Sequence, residues 1–250
     1  MKKNQYLCRE MIVVVDAGNT NVKWYVFENG IILRSVRSTY DDFFSSSVGF
    51  GNETFEKAVI CNVSAYDTAE IMAKFPVATY YEFTHSSKIP MKIAYATPET
   101  LGLDRIAAAI GANLLSPDRH KLVIDFGTAI TIDFVEKNNT FIGGNISLGL
   151  HARFKALHEY TGKLPLIETV DSVGEIGKTT HEAVVNGVVL GIKYEIEEYI
   201  RFYEAKYQDV AIFFTGGDCH FFEKNIKNTI FAHQNLVALG LYVILKYNEA

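Results

Sequence analysis

Apolar residues along this chain fall in short runs separated by polar and glycine-containing turns, a pattern typical of mixed α/β proteins. Short runs rich in β-branched and aromatic residues predict strands, whereas apolar residues spaced three and four apart predict helices. The strands predicted for the first half are Ile12–Val15, Val22–Phe27, Ile31–Val36, Lys57–Val63 and Val77–Phe83. Asn29-Gly30 predicts a hairpin turn between the second and third strands. Helices are predicted at Tyr66–Phe75 and Leu103–Leu115.

The second half of the chain begins with the same order of elements. Its predicted strands are Leu122–Ile124, Ile130–Glu136, Thr140–Gly143 and Ala211–Phe214. Its predicted helices are Leu148–Tyr160, a long one from about residue 180 to 207, and a last one at about residues 237–247. The helix that begins near Thr180 is expected to have its N-cap there.

Alignment of the two halves of the chain reveals an internal repeat. The aligned pairs are Asp16 with Asp125, Gly18 with Gly127, Asn19 with Thr128, Val26 with Val135, and Asn29 with Asn138. A duplicated unit decides the architecture, so the sequence predicts two lobes, each a mixed sheet with helices. Turn residues at Ser116-Pro117-Asp118 place the boundary between residues 11–117 and residues 118–250.

Each copy of the repeat places an Asp-x-Gly turn directly after its first strand. Glycine lets backbone amides approach a phosphate, and an aspartate at a strand end can hold Mg²⁺ against it. One such turn would be as consistent with an ordinary β-turn. Two copies, together with Thr215-Gly216-Gly217-Asp218 after a late strand, favour an interlobe cleft that binds the phosphates of a nucleotide.

Charge and cysteine usage exclude several other classes of protein. The chain has 24 Lys and Arg against 29 Asp and Glu, a net charge of −5, so it lacks the field that a nucleic-acid binder uses. No apolar run is long enough to span a bilayer. Cys8, Cys61 and Cys219 lack the spacing of a metal site. We therefore expect a cytoplasmic protein with no disulfide, no structural metal and no nucleic-acid or membrane partner.

A set of motifs in fixed order makes the chain similar to a known family. The motifs are DAGNTNVK (Asp16–Lys23), GLDR (Gly102–Arg105), DFGTAITID (Asp125–Asp133), GGNISLG (Gly143–Gly149) and TGGD (Thr215–Asp218). In this set the chain resembles the type III pantothenate kinases of the acetate and sugar kinase/Hsp70/actin superfamily. The resemblance implies an actin-like ATPase fold of two duplicated ribonuclease H-like lobes. Leu148 stands where the family usually has proline.

The resemblance implies ATP-dependent phosphorylation of pantothenate to 4′-phosphopantothenate, the first step of coenzyme A biosynthesis. Two alternatives remain open at this point. One is a kinase for another small alcohol on the same fold, and the other is a non-catalytic transcription accessory protein. The presence of Asp16, Lys23, Asp104 and Asp125 disfavours the second alternative, because a regulator has no need of these side chains.

The resemblance also implies roles for individual residues. Those implied to bind ATP are Asp16, Ala17, Gly18, Asn19, Thr20, Asn21, Val22, Lys23 and Thr128. Asp16 is expected near Mg²⁺, and Lys23 near the phosphoryl group in transfer. Gly216 and Gly217 are expected to bring backbone amides near the nucleotide.

Pantothenate is implied to contact Tyr95, Gly102, Leu103, Asp104, Arg105 and Thr180. Asp104 is the expected general base for the primary hydroxyl of the substrate. Arg105 could pair with an anionic oxygen or orient the Asp104 carboxylate, and the sequence leaves both open. Asp125 is implied to bind a monovalent cation, K⁺ or NH₄⁺. A homodimer is implied as well.

Overall fold

A computed structural model describes residues 10–46, 48–50, 53–170 and 172–249. Two compact units are present. The first comprises the described residues of Met1–Pro90, with Thr97–Gly111 and Val237–Ala250, and the second comprises Met91–Ala96 and Ala112–Leu236. The lobe boundary expected between residues 117 and 118 stays a prediction.

The first unit contains a five-stranded mixed sheet. Its strands are β1 (Met11–Ala17), β2 (Asn21–Glu28), β3 (Ile31–Thr39), β4 (Phe55–Asn62) and β5 (Val77–Glu82). Their order is β3-β2-β1-β4-β5, with β2 antiparallel to β1 and β3, and with β1, β4 and β5 parallel. Six of the seven residues of β1 are buried, because this central strand is covered on both faces.

Helices of the first unit are α1 (Tyr40–Ser45), α2 (Thr68–Met72), most of α3 (Leu103–Leu115) and most of the last helix, Leu236–Glu249. A single 3₁₀ turn, Pro98–Thr100, precedes α3. Thr39 and Asp67 cap α1 and α2 through their side chains. The last helix packs so closely on α3 that a Cβ at Gly240 would overlap the backbone of Ala107.

The second unit repeats this topology. Its strands are β6 (Lys92–Ile93), β7 (His120–Phe126), β8 (Ala129–Glu136), β9 (Thr140–Leu148), β10 (Val210–Thr215) and β11 (Ile230–Ala232). Their order is β11-β10-β7-β8-β9-β6. Read from β9 to β11, the order and the pattern of parallel and antiparallel pairs match those of the first sheet, and β6 is added at the edge. The predicted duplication of an α/β unit is therefore confirmed.

The helices of the second unit are α4 (Leu150–Tyr160), α5 (Thr180–Lys206) and α6 (Cys219–Glu223), so the last helix of the chain is α7. The buried face of α5, including Val185, Val189 and Ile192, packs on the sheet around Ile124. The N-cap of α5 is Thr179 rather than Thr180, because the Thr179 hydroxyl and the Glu182 carboxylate form a capping box. In the described part of the chain, no helix has both the length and the apolarity to cross a membrane.

Candidate functional site

The first Asp-x-Gly turn joins β1 to β2 in the first unit. The antiparallel register places Lys23 directly opposite Asp16, and the Lys23 ammonium lies 3.2 Å from the Asp16 carboxylate. Asp16 is only 5% exposed, whereas the Lys23 side chain is 27% exposed. The turn itself closes with the N–H of Gly18 donating to the carbonyl of Asn21 at 3.0 Å. A buried carboxylate and a more accessible ammonium therefore lie side by side at the strand end.

Neighbouring elements hold the backbone of this turn. The N–H of Val63, just after β4, donates to the carbonyl of Ala17 at 2.9 Å, and the phenol of Tyr40 donates to the carbonyl of Gly18 at 2.7 Å. The N–H of a trans peptide points away from its C=O. Fixing the Gly18 carbonyl on Tyr40 therefore directs the N–H of exposed Asn19 to the opposite side.

Asp104 lies in the first turn of α3, in the same unit. Its carboxylate accepts a hydrogen bond of 2.9 Å from the backbone N–H of Arg105. Burial raises the pKa of Asp104, the negative charge of Asp16 raises it further, and the amide and guanidinium of Arg105 act in the opposite direction. A Cβ at Gly102 would lie 2.5 Å from the Asp104 carboxylate, so glycine leaves the space that this side chain takes. We call Asp16, Lys23 and Asp104 the first acidic corner.

A buried thiol, that of Cys61, lies next to the first acidic corner. Cys61 lies beside Asp16 in the parallel register of β1 and β4 and has no exposed surface. Burial raises the pKa of Cys61 well above its usual value, with smaller contributions from the charges of Asp16 and Asp104. The thiol is therefore a neutral neighbour of two carboxylates. Burial likewise raises the pKa of Cys219 to about 11, and Cys8 lies outside the described residues.

The second Asp-x-Gly turn joins β7 to β8 in the second unit. Asp125 is the sixth residue of β7, as Asp16 is of β1, and it is partly buried. The N–H of Asp218 donates to the carbonyl of Phe126 at 3.2 Å. Gly216 has a φ of +89°, and a Cβ there would overlap the Asp125 carboxylate. Only glycine can therefore bring the TGGD backbone this close to Asp125.

Thr128 is exposed at the tip of this second turn. Its carbonyl accepts a hydrogen bond of 3.0 Å from the N–H of Gly149, the N-cap residue of α4. Leu148 is the last residue of β9, pairs with Ala129 and is 53% exposed. Proline is therefore not needed to form this turn.

Oxygen atoms near Asp125 are of the kind that fits a monovalent cation. The hydroxyl of Thr215, next to Asp125 in the register of β7 and β10, is buried and has no hydrogen-bond partner among the described residues. Within the same part of the chain, no group of three or more His, Cys, Asp or Glu could hold a metal ion. One carboxylate with a neutral oxygen suits K⁺ better than an ion that demands several anionic ligands.

The two remaining predicted substrate contacts lie in the second unit. The ring of Tyr95 packs over Gly143, within 3.6 Å of the position of a Cβ there, and meets Phe141 edge-on. Thr180 is exposed at the start of α5 and lines a groove of about 830 Å³ beside α4. Gly102–Arg105 belong to the first unit, so a pantothenate pocket shared by all six residues stays a prediction.

Sequence comparison with known proteins finds the same family that the motifs indicate. A family model described as type III pantothenate kinase matches residues 12–202. The type III pantothenate kinase of Flavobacterium johnsoniae is 36% identical over 247 residues, covering 95% of this chain and 98% of the relative. The type III pantothenate kinase of Bacteroides fragilis strain YCH46 is 38% identical over 241 residues, covering 96% and 99%.

Solved structures show the same fold at lower identity. A Campylobacter jejuni protein assigned to the Baf family of transcriptional activators has a TM-score of 0.64 at 22% identity, covering 95% of this chain and 98% of its own. The activator of 2-hydroxyisocaproyl-CoA dehydratase from Clostridium difficile, with bound ADPNP, has a TM-score of 0.52 at 13% identity, covering 96% of each chain. The predicted actin-like α/β fold is confirmed by this likeness, which at such identity shows the fold alone.

Proposed function

Because this chain belongs to the type III pantothenate kinase family, we propose that its first acidic corner performs phosphoryl transfer from ATP to pantothenate. The reaction makes 4′-phosphopantothenate in the first step of coenzyme A biosynthesis. The observation that supports this assignment is the raised pKa of Asp104, which is raised most by burial and further by the negative charge of Asp16. It indicates that the two carboxylates of the corner act on one another through a poorly solvated environment.

Positioning and charge neutralisation account for most catalysis of phosphoryl transfer. We propose that the amides of the turn at residues 18–22 and the Lys23 ammonium bind the phosphates of ATP. Asp16 fits as the residue that holds Mg²⁺, because a carboxylate at the strand end offers the hard oxygen that this ion prefers. Bound Mg²⁺ supplies neutralisation of phosphate charge. Lys23 has the exposure to reach a ligand while remaining beside Asp16.

Asp104 acts on the primary hydroxyl of pantothenate in this proposal. A carboxylate with a raised pKa is a stronger base than an ordinary aspartate, and the Arg105 amide holds one of its oxygens in place. The transition state of phosphoryl transfer is loose, so orientation of the hydroxyl contributes together with proton abstraction. The buried guanidinium of Arg105 either pairs with an anionic oxygen of the substrate or supports Asp104.

The remaining residue roles are proposals of the same kind. The residues proposed to contact ATP beyond Asp16 and Lys23 are Ala17, Gly18, Asn19, Thr20, Asn21, Val22 and Thr128. Those proposed to contact pantothenate beyond Asp104 are Tyr95, Gly102, Leu103, Arg105 and Thr180. Asp125 is proposed to bind K⁺ or NH₄⁺, supported by the buried hydroxyl of Thr215, which lies beside it in the sheet and has no hydrogen-bond partner among the residues that the structure describes.

We expect pantothenate-dependent release of ADP in the presence of K⁺ or NH₄⁺ and little release in Na⁺ alone. The assay measures ADP with pantothenate and with a panel of other small alcohols, at constant ionic strength. Equal rates in K⁺ and Na⁺ would contradict the cation role of Asp125. Use of another alcohol in preference to pantothenate would contradict the assignment of the pocket residues.

We also propose that the protein is a homodimer. Exposed apolar side chains on the second unit, among them Ile146, Leu148 and Tyr160, support a second copy as the occupant of this face. Tyr160 and Leu148 both line the groove beside α4. Analytical ultracentrifugation is expected to give twice the chain mass of 28.0 kDa, and Tyr160→Glu is expected to shift it toward the monomer. A wild-type monomer at micromolar concentration would refute the dimer.

A further inference from the structure

Three side chains stand in a row across the second sheet, at the level of Asp125. The register pairs Asp125 with Thr131 of antiparallel β8 and with Thr215 of parallel β10. Residues paired directly across neighbouring strands point to the same face of a sheet. The three side chains therefore share one face, and we call them the oxygen row.

The first sheet has the same row with different chemistry. There the register pairs Asp16 with Lys23 of β2 and with Cys61 of β4. The Lys23 ammonium lies 3.2 Å from the Asp16 carboxylate. In the duplicated unit, the place of lysine is taken by Thr131, and the place of the thiol by Thr215. The second copy thus offers hydroxyl oxygens where the first has an ammonium and a thiol.

A second observation concerns the hydrogen bonding of the Thr215 hydroxyl. Thr215 is 1% exposed, and its Oγ1 has no hydrogen-bond partner in the described portion of the chain. Leaving a buried hydroxyl without a partner is unfavourable, so such a group calls for a ligand. The strand next enters Gly216, which packs on the Asp125 carboxylate without a side chain between them. The Thr215 hydroxyl, which lacks a partner among the described residues, therefore lies on the same face as the Asp125 carboxylate.

We propose that Thr215 binds the monovalent cation together with Asp125. The proposal rests on the proposed function, which assigns the cation to Asp125. It adds a neutral ligand, the hydroxyl of Thr215, to the carboxylate of Asp125. Neutral oxygens replace the hydration shell of K⁺ readily, and a single carboxylate balances its single charge. NH₄⁺ fits the same site because its N–H groups can donate to the Thr215 hydroxyl and to the Asp125 carboxylate.

The test compares thermal unfolding in KCl and in choline chloride, at one ionic strength and with a non-hydrolysable ATP analogue bound. We expect K⁺ to raise the melting temperature of the wild-type protein. Thr215→Val should raise the half-saturating K⁺ concentration about tenfold, and Thr215→Ser should change it little, because serine keeps the hydroxyl. In choline chloride, Thr215→Val should be at least as stable as wild type, since a buried unpartnered hydroxyl has been removed.

Thr140→Val is the matched control, because Thr140 belongs to the same sheet at the start of β9 and pairs with Glu136, away from the oxygen row. It should keep the wild-type K⁺ response. If Thr215→Val keeps that response while Asp125→Asn loses it, the role of Thr215 is wrong and the cation role of Asp125 stands. If the wild-type protein shows no K⁺ response, both are wrong. Should Thr215→Val fail to fold, Thr215→Ala provides the same comparison.

Discussion

Replacing Asp104 by asparagine should lower kcat by about 10²–10⁴-fold, the range that a positioned general base contributes. Asparagine keeps the shape of the side chain but cannot accept the proton of the pantothenate hydroxyl. ATP should still bind with nearly unchanged affinity, because the proposed phosphate ligands lie on the turn at residues 18–22 and on Lys23. Steady-state kinetics with pantothenate and calorimetric titration with an ATP analogue measure the two effects. Loss of ATP binding together with turnover would give Asp104 a structural role instead.

The same variant should be more stable than wild type at neutral pH. Burial, followed by the charge of Asp16, raises the pKa of Asp104 in the folded protein, so the folded protein holds that proton more tightly than the unfolded chain does. The unfolded chain therefore ionises at a lower pH than the folded protein, which lowers folding stability above the unfolded pKa, and asparagine avoids this cost. The gain should shrink as the pH falls through the raised pKa of the folded protein toward the ordinary aspartate pKa of about 3.9, and it should vanish below that value, where Asp104 is protonated in both states.

Melting temperatures between pH 4 and pH 8 would measure this stability gain, with pH values chosen where both variants stay folded. Glu56→Gln is a suitable control, since Glu56 is exposed on β4 and its carboxylate is solvated. This control should change the melting temperature little at any pH. A loss of stability in Asp104→Asn at neutral pH would mean that the carboxylate is stabilised, rather than strained, by its surroundings.

Elements with a strong periodic signal could be predicted from the sequence alone. Helix α3 was predicted at its observed bounds, because its alanines and larger aliphatic residues recur at helical spacing. Strand β9 was predicted to stop at Gly143 but continues to Leu148. The reason is tertiary: a Cβ at Gly144 would overlap the backbone and side chain of Asp133 across the ladder. Glycine there permits a close approach between strands and does not end the strand.

Short elements were missed because their residues carry too little pattern. Helix α1 has six residues and depends on its cap, Thr39, and on burial of Tyr40 and Phe43. Strand β6 has only two residues, Lys92–Ile93, and exists because it pairs with the edge of β9. Periodicity cannot be read from two residues, so elements of this kind follow from the tertiary fold.

The residues of the candidate site also fall into two groups, those that the sequence could predict and those that it could not. Asp16 and Asp125 could be found because strand, Asp-x-Gly turn and strand recur in both halves. The positions of Cys61 beside Asp16 and of Thr215 beside Asp125 could not be predicted, because both residues lie on strands that are remote in sequence and reach the aspartates only through parallel register. The sequence nevertheless carried a signal for Thr215, since this residue opens the TGGD motif. The structure adds the register of the strands. This register shows which residues lie beside Asp16 in the first sheet and beside Asp125 in the second, so that the two rows can be compared.

Replacing Lys23 by methionine should lower kcat/KM for ATP by about 10²–10³-fold, the usual effect of losing one preorganised donor to transition-state charge. Methionine keeps most of the length of the stem and removes only the charge. Folding stability should also fall, because Asp16 is 5% exposed and would lose the ammonium that lies 3.2 Å from its carboxylate. We expect a loss of about 1–3 kcal/mol, below the value for a fully buried pair, since Lys23 is 27% exposed. Urea unfolding and ATP-dependent kinetics measure the two effects.

The double variant Asp16→Asn with Lys23→Met separates the structural role of this pair from its catalytic role. It removes both charges, so no uncompensated carboxylate remains and most of the lost stability should return. Activity should stay low, because neither the phosphate ligand nor the proposed Mg²⁺ ligand is present. Recovery of both properties would mean that Lys23 serves only to balance Asp16. Recovery of neither would mean that packing of the lysine stem, which methionine reproduces only in part, holds the strand end together. The expected split follows from one geometric fact: the residue that neutralises Asp16 inside the sheet is also the one with enough exposure to bind a phosphate.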